Sequence, residues 1–317
     1  MRYFITGCAG FIGSHLTDRL LQRGHEVVGF DNFSTGLSEF LTEARKSLNF
    51  TLIEGNLLDK NVLINASKNC DEVFHLAANA DVRFGTNHPH KDLEQNAIGT
   101  FHVLEAMRIN KIKKMMFAST GSIYGETHVI PTPEDAPFPI QTSLYGASKL
   151  AAEGLIQAYA EGFGIQAYIF RFVSILGERY THGHVFDFYK QLLVDPSQLN
   201  VLGNGQQRKS YLYIQDCIDA IFFAMENAQQ KLNIFNLGTD EYCEVNDSIN
   251  WICHYLQMTP QRNYAGGARG WVGDSPFIFL DCARIRKLGW KPKWNIREGV
   301  VKTIKYLQEN QWVLDKR

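Results

Sequence analysis

The sequence predicts a doubly wound α/β protein, in which helices cover both faces of a parallel sheet. Apolar runs typical of buried strands alternate with amphipathic helical patterns through the first half of the 317-residue chain. The first apolar run, residues 2–6, leads into a loop with three glycines and then directly into a helical pattern. This order of strand, glycine loop and helix is typical of the first unit of such a sheet.

The remaining elements follow in the same alternation. Strands are expected near residues 2–6, 26–30, 50–54, 72–76, 114–118 and 165–171, and helices near 12–23, 60–68, 90–109 and 144–162. After residue 173 the pattern loosens, with one further helix expected near 184–194. We therefore expect a first domain over 1–173, joined by segments near 211–237 that return to it. A smaller C-terminal α/β domain, mainly over 174–317, would bind a substrate.

The glycine loop contains Gly7, Gly10 and Gly13, which let the backbone turn sharply and approach a pyrophosphate at the helix N-terminus. This spacing alone is weak evidence, because glycines after a strand often mark only a tight turn. The second strand, however, ends on Asp31, where a carboxylate would bind the two adenosine ribose hydroxyls and repel a 2′-phosphate. No Arg or Lys follows before Arg45. The sequence therefore predicts binding of NAD rather than NADP.

Composition and charge exclude several classes of protein. The chain is 45% hydrophobic and 21% charged, with a net charge of −1, so nothing indicates binding to nucleic acid or to an anionic membrane. No apolar run reaches the length of a transmembrane helix. We interpret the immediate start of a core strand as leaving no room for a signal peptide. The six scattered cysteines suggest free thiols in the cytoplasm, and the dispersed histidines predict no metal site.

Tyr145 and Lys149 stand four residues apart in a helical pattern and so share one helix face. A tyrosine keeps its proton to about pH 10, but a nearby ammonium favours the phenolate, which can act as a base. Alone, such a pair is more often a packed Tyr beside a solvated Lys. A buried strand at 114–118 opens into a loop with hydroxyl side chains, at the edge of the sheet where ligands bind. In this context the pair indicates a catalytic site.

Together these motifs resemble the extended short-chain dehydrogenase/reductase family, in its nucleotide-sugar epimerase and dehydratase branch. The resemblance covers nearly the whole chain and is carried by residues 6–15, 31–36, 75–78, 96–100, 119–125, 145–149, 288–292 and 298–299. It implies a Rossmann dinucleotide-binding domain with NAD as cofactor. It also implies Thr120, Tyr145 and Lys149 as the catalytic residues, with Lys149 binding the nicotinamide ribose and lowering the pKa of Tyr145.

The resemblance further implies which residues contact each ligand. The expected cofactor-binding residues are Gly7, Gly10, Phe11, Ile12, Gly13, Asp31, Asn32, Ser34, Thr35, Gly36, Asn56, Leu57, Leu76, Ala77, Ala78, Asn96, Ser119, Tyr145, Lys149 and Phe172. The expected substrate-binding residues are Thr120, Ser122, Ser174, Arg208, Lys209, Tyr211, Arg269 and Ile278.

Three of these positions depart from the family pattern. Asn56 replaces the usual acid, Ser174 replaces an Asn, and Lys209 stands where an Arg is usual. Arg208, Lys209 and Arg269 are either clamps for the substrate diphosphate or plain surface charge, and Lys209 lacks the bidentate fork of arginine.

Two loop positions separate the branches of the family. Where dehydratases and decarboxylases carry an acid, this chain has Gly121 and Ser122, so elimination of water is disfavoured. The resemblance therefore implies NAD-dependent 4-epimerisation of a nucleoside-diphosphate sugar, a UDP-hexose or UDP-N-acetylhexosamine, through a transient 4-keto sugar. A dehydratase, decarboxylase or reductase and a catalytically silent NAD-binding scaffold stay open as alternatives. Ile278, at the family position that gates sugar size, does not fix the sugar.

The helices expected at 90–109 and 144–162 carry more apolar surface than one sheet face needs. In this family they pair across a two-fold axis into a four-helix bundle, so a homodimer is expected.

Overall fold

A computed structural model describes residues 1–80, 82–138, 140–271 and 273–316, with the backbone only at 82–84. The strands are β1 (Arg2–Thr6), β2 (Glu26–Asp31), β3 (Phe50–Glu54), β4 (Glu72–His75), β5 (Lys114–Thr120), β6 (Gln166–Phe172), β7 (Ser174–Leu176), β8 (Gln198–Val201), β9 (Arg208–Lys209), β10 (Tyr211–Tyr213), β11 (Leu232–Leu237), β12 (Cys243–Glu244), β13 (Gln261–Tyr264) and β14 (Phe277–Ile278).

The α-helices are α1 (Phe11–Gln22), α2 (Lys60–Ala66), α3 (Val82–Asn87), α4 (Pro89–Asp92), α5 (Gly99–Asn110), α6 (Leu144–Phe163), α7 (His184–Val194), α8 (Ile214–Asn227), α9 (Val245–Leu256), α10 (Ala283–Leu288), α11 (Ile296–Glu309) and α12 (Trp312–Asp315). Short 3₁₀ helices span Ser38–Leu41, Ala44–Lys46 and Gly121–Tyr124, and a π-helical turn spans Leu93–Ile98.

The main sheet has seven strands in the order β3-β2-β1-β4-β5-β6-β11. The pairings among β1 to β5 are parallel. The strand order reverses between β1 and β4, and in doubly wound sheets ligands bind beyond the carboxyl ends of the strands at such a point. The predicted fold class and the six strands expected up to residue 171 are confirmed.

The core of the sheet explains why its strands are continuous apolar runs rather than alternating ones. Phe4, Val73 and Phe117 lie on three neighbouring strands and are fully buried in one cluster with Leu104 of α5 and Ile156 of α6. A central parallel strand has helices on both faces, so both of its faces select apolar residues. Each such side chain contributes about 1.5–3 kcal/mol by burial.

The helix expected over 90–109 is not continuous. It is divided into α4, the π-helical turn Leu93–Ile98 and α5. The π turn places Asn96 so that its amide makes buried hydrogen bonds to Asn79 and Ser148. Periodicity alone cannot reveal one wide turn, since the apolar pattern on both sides of it stays helical.

The chain divides into two compact units. The first comprises Met1–Ile123, Ser143–Arg171 and Ala224–Phe235, and the second Tyr124–Thr142, Phe172–Phe223 and Asn236–Arg317.

Only part of the segment expected to return to the main sheet does so. β11 joins the sheet beside β6, whereas β10 pairs in parallel with β7 in a separate two-stranded sheet. The expectation for residues 211–213 was therefore wrong. A short buried run identifies a strand but not its partner.

Within the described residues, no helix combines the length and hydrophobicity needed to cross a membrane. In the same part of the chain, no group of three or more His, Cys, Asp or Glu side chains could hold a metal ion. All six cysteines are buried free thiols.

Candidate active site

The loop after β1 has a geometry that only glycine permits. Gly7 has φ +74°, and a Cβ there would lie 2.6 Å from the backbone nitrogen of Ala77. A Cβ on Gly13 would collide with the carbonyl oxygen of Gly7. The loop is closed by a hydrogen bond from the Gly10 N–H to that same carbonyl, at 3.1 Å. The backbone of β1 thus comes close to the end of β4.

Helix α1 starts at Phe11, directly after this loop, and no side chain caps its N-terminus. The first N–H groups of a helix have no intrahelical acceptor and attract anions. The positions of Gly10, Phe11, Ile12 and Gly13 therefore suit a pyrophosphate.

Asp31, at the end of β2, is 7% exposed, and both of its carboxylate oxygens accept hydrogen bonds from the backbone. Its Oδ2 accepts a hydrogen bond from the Ala9 N–H at 2.9 Å, and its Oδ1 accepts one from the Phe33 N–H at 2.9 Å. Burial raises the pKa of this carboxyl, and the backbone hydrogen bonds oppose that effect. The acid therefore ties the glycine loop to the loop after β2, and each oxygen keeps a lone pair for a ribose hydroxyl.

Asn32 and Asn56 shape the turns in which they lie. The Oδ1 of Asn32 accepts hydrogen bonds from the Ser34 N–H at 3.0 Å and the Ser34 hydroxyl at 2.7 Å. The Oδ1 of Asn56 accepts one from the Leu58 N–H at 3.0 Å. The other residues of these loops that were expected to bind the cofactor lie after the same two strands, β2 and β3. Thr35 is exposed, whereas Gly36 and Leu57 are buried.

His75, to which no role was assigned beyond the family resemblance, is a buried histidine that connects β1 and β4. His75 Nδ1 lies 2.7 Å from Thr6 Oγ1, and its Nε2 lies 2.9 Å from Thr100 Oγ1. Thr6 Oγ1 also accepts from the Ala77 N–H, and Thr100 donates to the carbonyl of Asn96. The network is satisfied by a neutral His75 with its proton on Nε2.

The pKa of His75 is lowered to about 3 by burial and by the charge on Lys149. This neutral bridge fixes the chain after β4, where the half-buried residues Leu76, Ala77 and Ala78 lie beside the glycine loop.

The carboxyl end of β5 and the start of α6 bring the predicted catalytic residues together. Thr120, the last residue of β5, accepts a hydrogen bond from the Ser122 N–H at 3.1 Å and lies 3.2 Å from the Ser122 hydroxyl. Thr120 is also hydrogen-bonded to Tyr145. Ser143 caps α6 by accepting from the Gly146 N–H at 3.0 Å, which fixes the helix start next to Tyr145.

The ionisation of Tyr145 differs from the expectation. Burial raises its pKa to about 12, the hydrogen bond with Thr120 lowers it, and Asp92 raises it further. Lys149 does not produce the expected decrease. Instead, its ammonium donates to the carbonyl of Ala118 at 2.8 Å and lies 4.6 Å from the Phe117 ring centroid. Burial lowers the pKa of Lys149 to about 7, against the opposing effect of Glu153.

Ser119 was expected to bind the cofactor, but its hydroxyl has another partner. It donates to Oε1 of Glu153 at 2.5 Å. Glu153 also accepts from Arg171, with Nη2 to Oε2 at 2.7 Å and Nε to Oε1 at 3.1 Å. Both charged side chains are fully buried. Glu153 was missed, although its position four residues after Lys149 on the same helix was a signal for it.

In the second unit, Lys209 and Arg208 point in opposite directions. Lys209 Nζ donates to Asp274 Oδ1 at 2.7 Å and to the carbonyl of Ser275 at 2.5 Å. Arg208 instead stacks its guanidinium 4.0 Å from the Phe277 ring centroid. Adjacent residues on a strand face opposite sides, so the two side chains cannot clamp one diphosphate together. Ile278 lies in register with Lys209.

The other residues of this unit that were expected to bind the substrate differ in burial and in their contacts. Exposed Arg269 forms an ion pair with Glu126 at 2.5 Å and donates to the carbonyl of Asp274 at 2.9 Å. Exposed Ser174 pairs with buried Tyr211 across β7 and β10. The hydroxyl of Tyr211 lies 3.3 Å from His184 Nδ1. Phe172 is buried at the end of β6, and it begins the segment Phe172–Phe223 of the second unit.

Comparison with known proteins agrees with this arrangement. Residues 3–238 match the model of the NAD dependent epimerase/dehydratase family. A protein of Methanocaldococcus jannaschii, named as a putative UDP-glucose 4-epimerase, is 32% identical over 312 residues, covering 96% of this chain and 98% of its own.

Solved structures of nucleotide-sugar 4-epimerases are similar to this chain over nearly its whole length. The crystal structure of a UDP-galactose 4-epimerase has a TM-score of 0.88 at 36% identity and covers 98% of this chain and 100% of its own. UDP-glucuronic acid 4-epimerase from Bacillus cereus, in complex with UDP-glucuronic acid and NAD, has a TM-score of 0.89 at 27% identity, over 98% of this chain and 99% of its own.

Proposed function

Since this chain belongs to the NAD dependent epimerase/dehydratase family, we propose that it is an enzyme that inverts C4 of a nucleoside-diphosphate sugar with NAD as cofactor. The substrate is a UDP-hexose or UDP-N-acetylhexosamine, the two kinds of sugar nucleotide named for similar proteins. The observation that carries the proposal is that Thr120 and Tyr145 are hydrogen-bonded, with Lys149 one turn further along α6.

The first unit fits the cofactor. Side chains on Gly7 or Gly13 would fill the space against Ala77 and the Gly7 carbonyl, so the loop keeps its backbone open to a pyrophosphate. Asp31 offers a carboxylate to the adenosine ribose and repels a 2′-phosphate. When bound, NAD would supply the reversible hydride acceptor that chemistry at C4 of the sugar needs, with no net change of the cofactor over one turnover.

The protein's own part in the reaction is to move one proton. Tyr145 would accept the proton of the 4-hydroxyl as C4 is oxidised and give it back on reduction. With a pKa of about 12 it holds its proton at neutral pH, so positive charge in the bound complex must lower that pKa first. Thr120 would hold the same oxygen by a hydrogen bond, and Lys149 would bind the nicotinamide ribose.

A dehydratase is the nearest alternative, and the loop after β5 disfavours it. Removal of water requires a carboxyl group to move a proton at C5. The loop has glycine at 121 and a hydroxyl at Ser122, which is engaged with Thr120. A reductase would consume reduced cofactor stoichiometrically, and a silent scaffold would bind NAD without any turnover.

One experiment separates these alternatives. The purified protein is incubated with UDP-glucose, UDP-galactose and their N-acetyl counterparts, and the products are separated by chromatography. We expect a C4 epimer of at least one sugar and no net change in absorbance of the reduced nicotinamide. A 4-keto product that has lost water would instead establish the dehydratase, and steady consumption of reduced cofactor the reductase. Absence of any product would contradict the proposal.

We also propose that the protein is a cytoplasmic homodimer. Leu93, Ile98 and Phe101, on the π turn and α5, are 56%, 38% and 37% exposed, as is Phe163 of α6 at 44%. A second copy would cover these apolar side chains. The six free thiols fit a reducing compartment. Sedimentation should show a dimer that Phe101→Glu dissociates and that Leu48→Glu, at a fully exposed leucine, leaves intact.

A further inference from the structure

Two charged residues of α6 hold consecutive residues of β5. Lys149 Nζ donates to the carbonyl of Ala118 at 2.8 Å, and the next residue, Ser119, donates its hydroxyl to Glu153 Oε1 at 2.5 Å. Lys149 and Glu153 are one helical turn apart on the same helix. This double attachment fixes the end of the strand immediately before Thr120.

The attachment is unusual because it is entirely buried. Glu153 is 0% exposed, Arg171 of β6 is 1% exposed and Lys149 is 3% exposed. Arg171 donates to both carboxylate oxygens of Glu153. A buried ion pair does little for stability, since desolvation of both charges offsets their attraction. Three charges in one buried cluster therefore call for an explanation other than stability.

The cluster acts on the charge of Lys149. Burial favours the neutral amine, and Glu153 opposes burial by stabilising the ammonium. Among the described residues, His75 on β4 also responds to this charge, since Lys149 lowers its pKa, and Tyr145 lies one turn earlier on the same helix. His75 is neutral at working pH and Tyr145 keeps its proton. Glu153 is thus the charge that favours the Lys149 ammonium, and Arg171 is paired with that same carboxylate.

We propose that Glu153 and Arg171 are positioning residues that set the protonation state of Lys149: Glu153 holds Lys149 as an ammonium, and Arg171 moderates the field of Glu153. Where the inference concerns turnover, it rests on the proposed epimerase function. The effect on Lys149 itself does not depend on that function.

The test measures Lys149 directly. The Cε resonance of Lys149 is followed against pH in purified protein labelled with ¹³C-lysine, and the signal is assigned by its loss in Lys149→Met. Glu153→Gln leaves the Arg171 charge uncompensated and should lower the midpoint by about one pH unit. Arg171→Met leaves the Glu153 charge uncompensated and should raise it by a similar amount. The double variant should return close to the unmodified protein.

If Glu153 and Arg171 served only packing, their single variants would not shift the Lys149 midpoint in opposite directions. Loss of packing would move both single variants in the same direction or leave both midpoints unchanged, and either result overturns the proposal. Glu161→Gln removes an exposed carboxylate from the same helix and serves as the control, with no expected shift. If Glu153→Gln does not fold, Glu153→Asp, which keeps the charge, must keep the midpoint while Arg171→Met raises it.

Turnover gives an independent readout. The alkaline limb of the pH profile should move with the resonance midpoint in each variant. If the Lys149 midpoints shift as expected but the unmodified protein epimerises no sugar, the proposed function is wrong. The effect of Glu153 and Arg171 on Lys149 is then still supported. If the sugar is epimerised but the midpoints do not move, this inference fails alone.

Discussion

The carboxylate of Asp31 accepts a hydrogen bond from the backbone N–H of Ala9 at 2.9 Å, so the acid at the end of β2 holds the glycine loop after β1. A second bond, from the Phe33 N–H, fixes the following loop. The residue expected to select the cofactor is thus also one that shapes the glycine loop. We therefore expect loss of the carboxylate to affect both cofactor choice and stability.

Asp31→Ala should narrow the preference for NAD over NADP, which we expect to be roughly a hundredfold in the unmodified protein. Because it leaves two N–H groups without their acceptor, it should also lower the free energy of unfolding by about 1–3 kcal/mol. Competitive binding of the two dinucleotides and urea unfolding measure the two effects. Asp59→Ala removes a helix cap and should destabilise the protein without changing cofactor preference. Equal affinity of the unmodified protein for both dinucleotides would show that Asp31 does not contact the ribose.

Tyr145→Phe should abolish most turnover while NAD binding and the fold are kept, since only the hydroxyl is lost. General-base loss costs on the order of 10²–10⁴-fold in rate. Thr120→Val should have a smaller effect, because it removes a hydrogen bond but not the base. Tyr159→Phe makes the same chemical change on the same helix, at a hydroxyl bonded to Glu105, and should leave turnover near normal. Near-normal rates for Tyr145→Phe would exclude it as the base.

The opposite directions of Arg208 and Lys209 predict unequal effects on substrate binding. Lys209 uses two of its three donors on Asp274 and Ser275, so one remains for a phosphate oxygen. Lys209→Met should raise the KM for the nucleotide sugar about tenfold or more, the equivalent of one charge-assisted hydrogen bond. Arg208→Met should change KM by less than about twofold. The reverse order of effects would show that the Arg208 face binds the diphosphate, and thermal unfolding of both variants checks that each is folded.

His75 predicts a loss of stability in acid. Its pKa is about 3 in the folded protein and near 6.5 when unfolded, so between these values only the unfolded state takes up the proton. Stability therefore falls as the pH is lowered from 6.5 toward 3, and this residue accounts for about 2 kcal/mol between pH 7 and pH 5. His184, whose pKa is also lowered to about 3, should act in the same direction.

Urea unfolding at pH 7 and pH 5 tests this. The difference between the two free energies of unfolding should shrink by about 2 kcal/mol in His75→Gln. His128→Gln, at an exposed position, should leave the difference unchanged. An unchanged difference in His75→Gln would mean that the histidine is already charged in the folded protein.

By itself, the sequence determined the parts of this protein that depend on local chemistry. Three local patterns carried this information. They are glycines 7, 10 and 13 between a strand and a helix, an acid at the end of the second strand, and a Tyr-Lys pair at helical spacing. Each depends on the backbone or side chains of only a few neighbouring residues. The strands of the first half of the chain and the helix at His184–Val194 were predictable for the same reason. Strand periodicity likewise implies that adjacent Arg208 and Lys209 face apart, although the sequence does not say which side binds a ligand.

The tertiary structure alone decided which distant residues meet. Thr6 and His75 are 69 residues apart, and Asn96 reaches Ser148, 52 residues away, from a π turn that no periodicity shows. β10 joined β7 rather than the main sheet, because an apolar run does not encode its partner strand. The ionisation of Tyr145 and Lys149 was also decided there, since a pKa depends on burial and on charges that the fold brings near. Sequence spacing gives the residue types of a site, whereas desolvation and long-range contacts determine their chemical state.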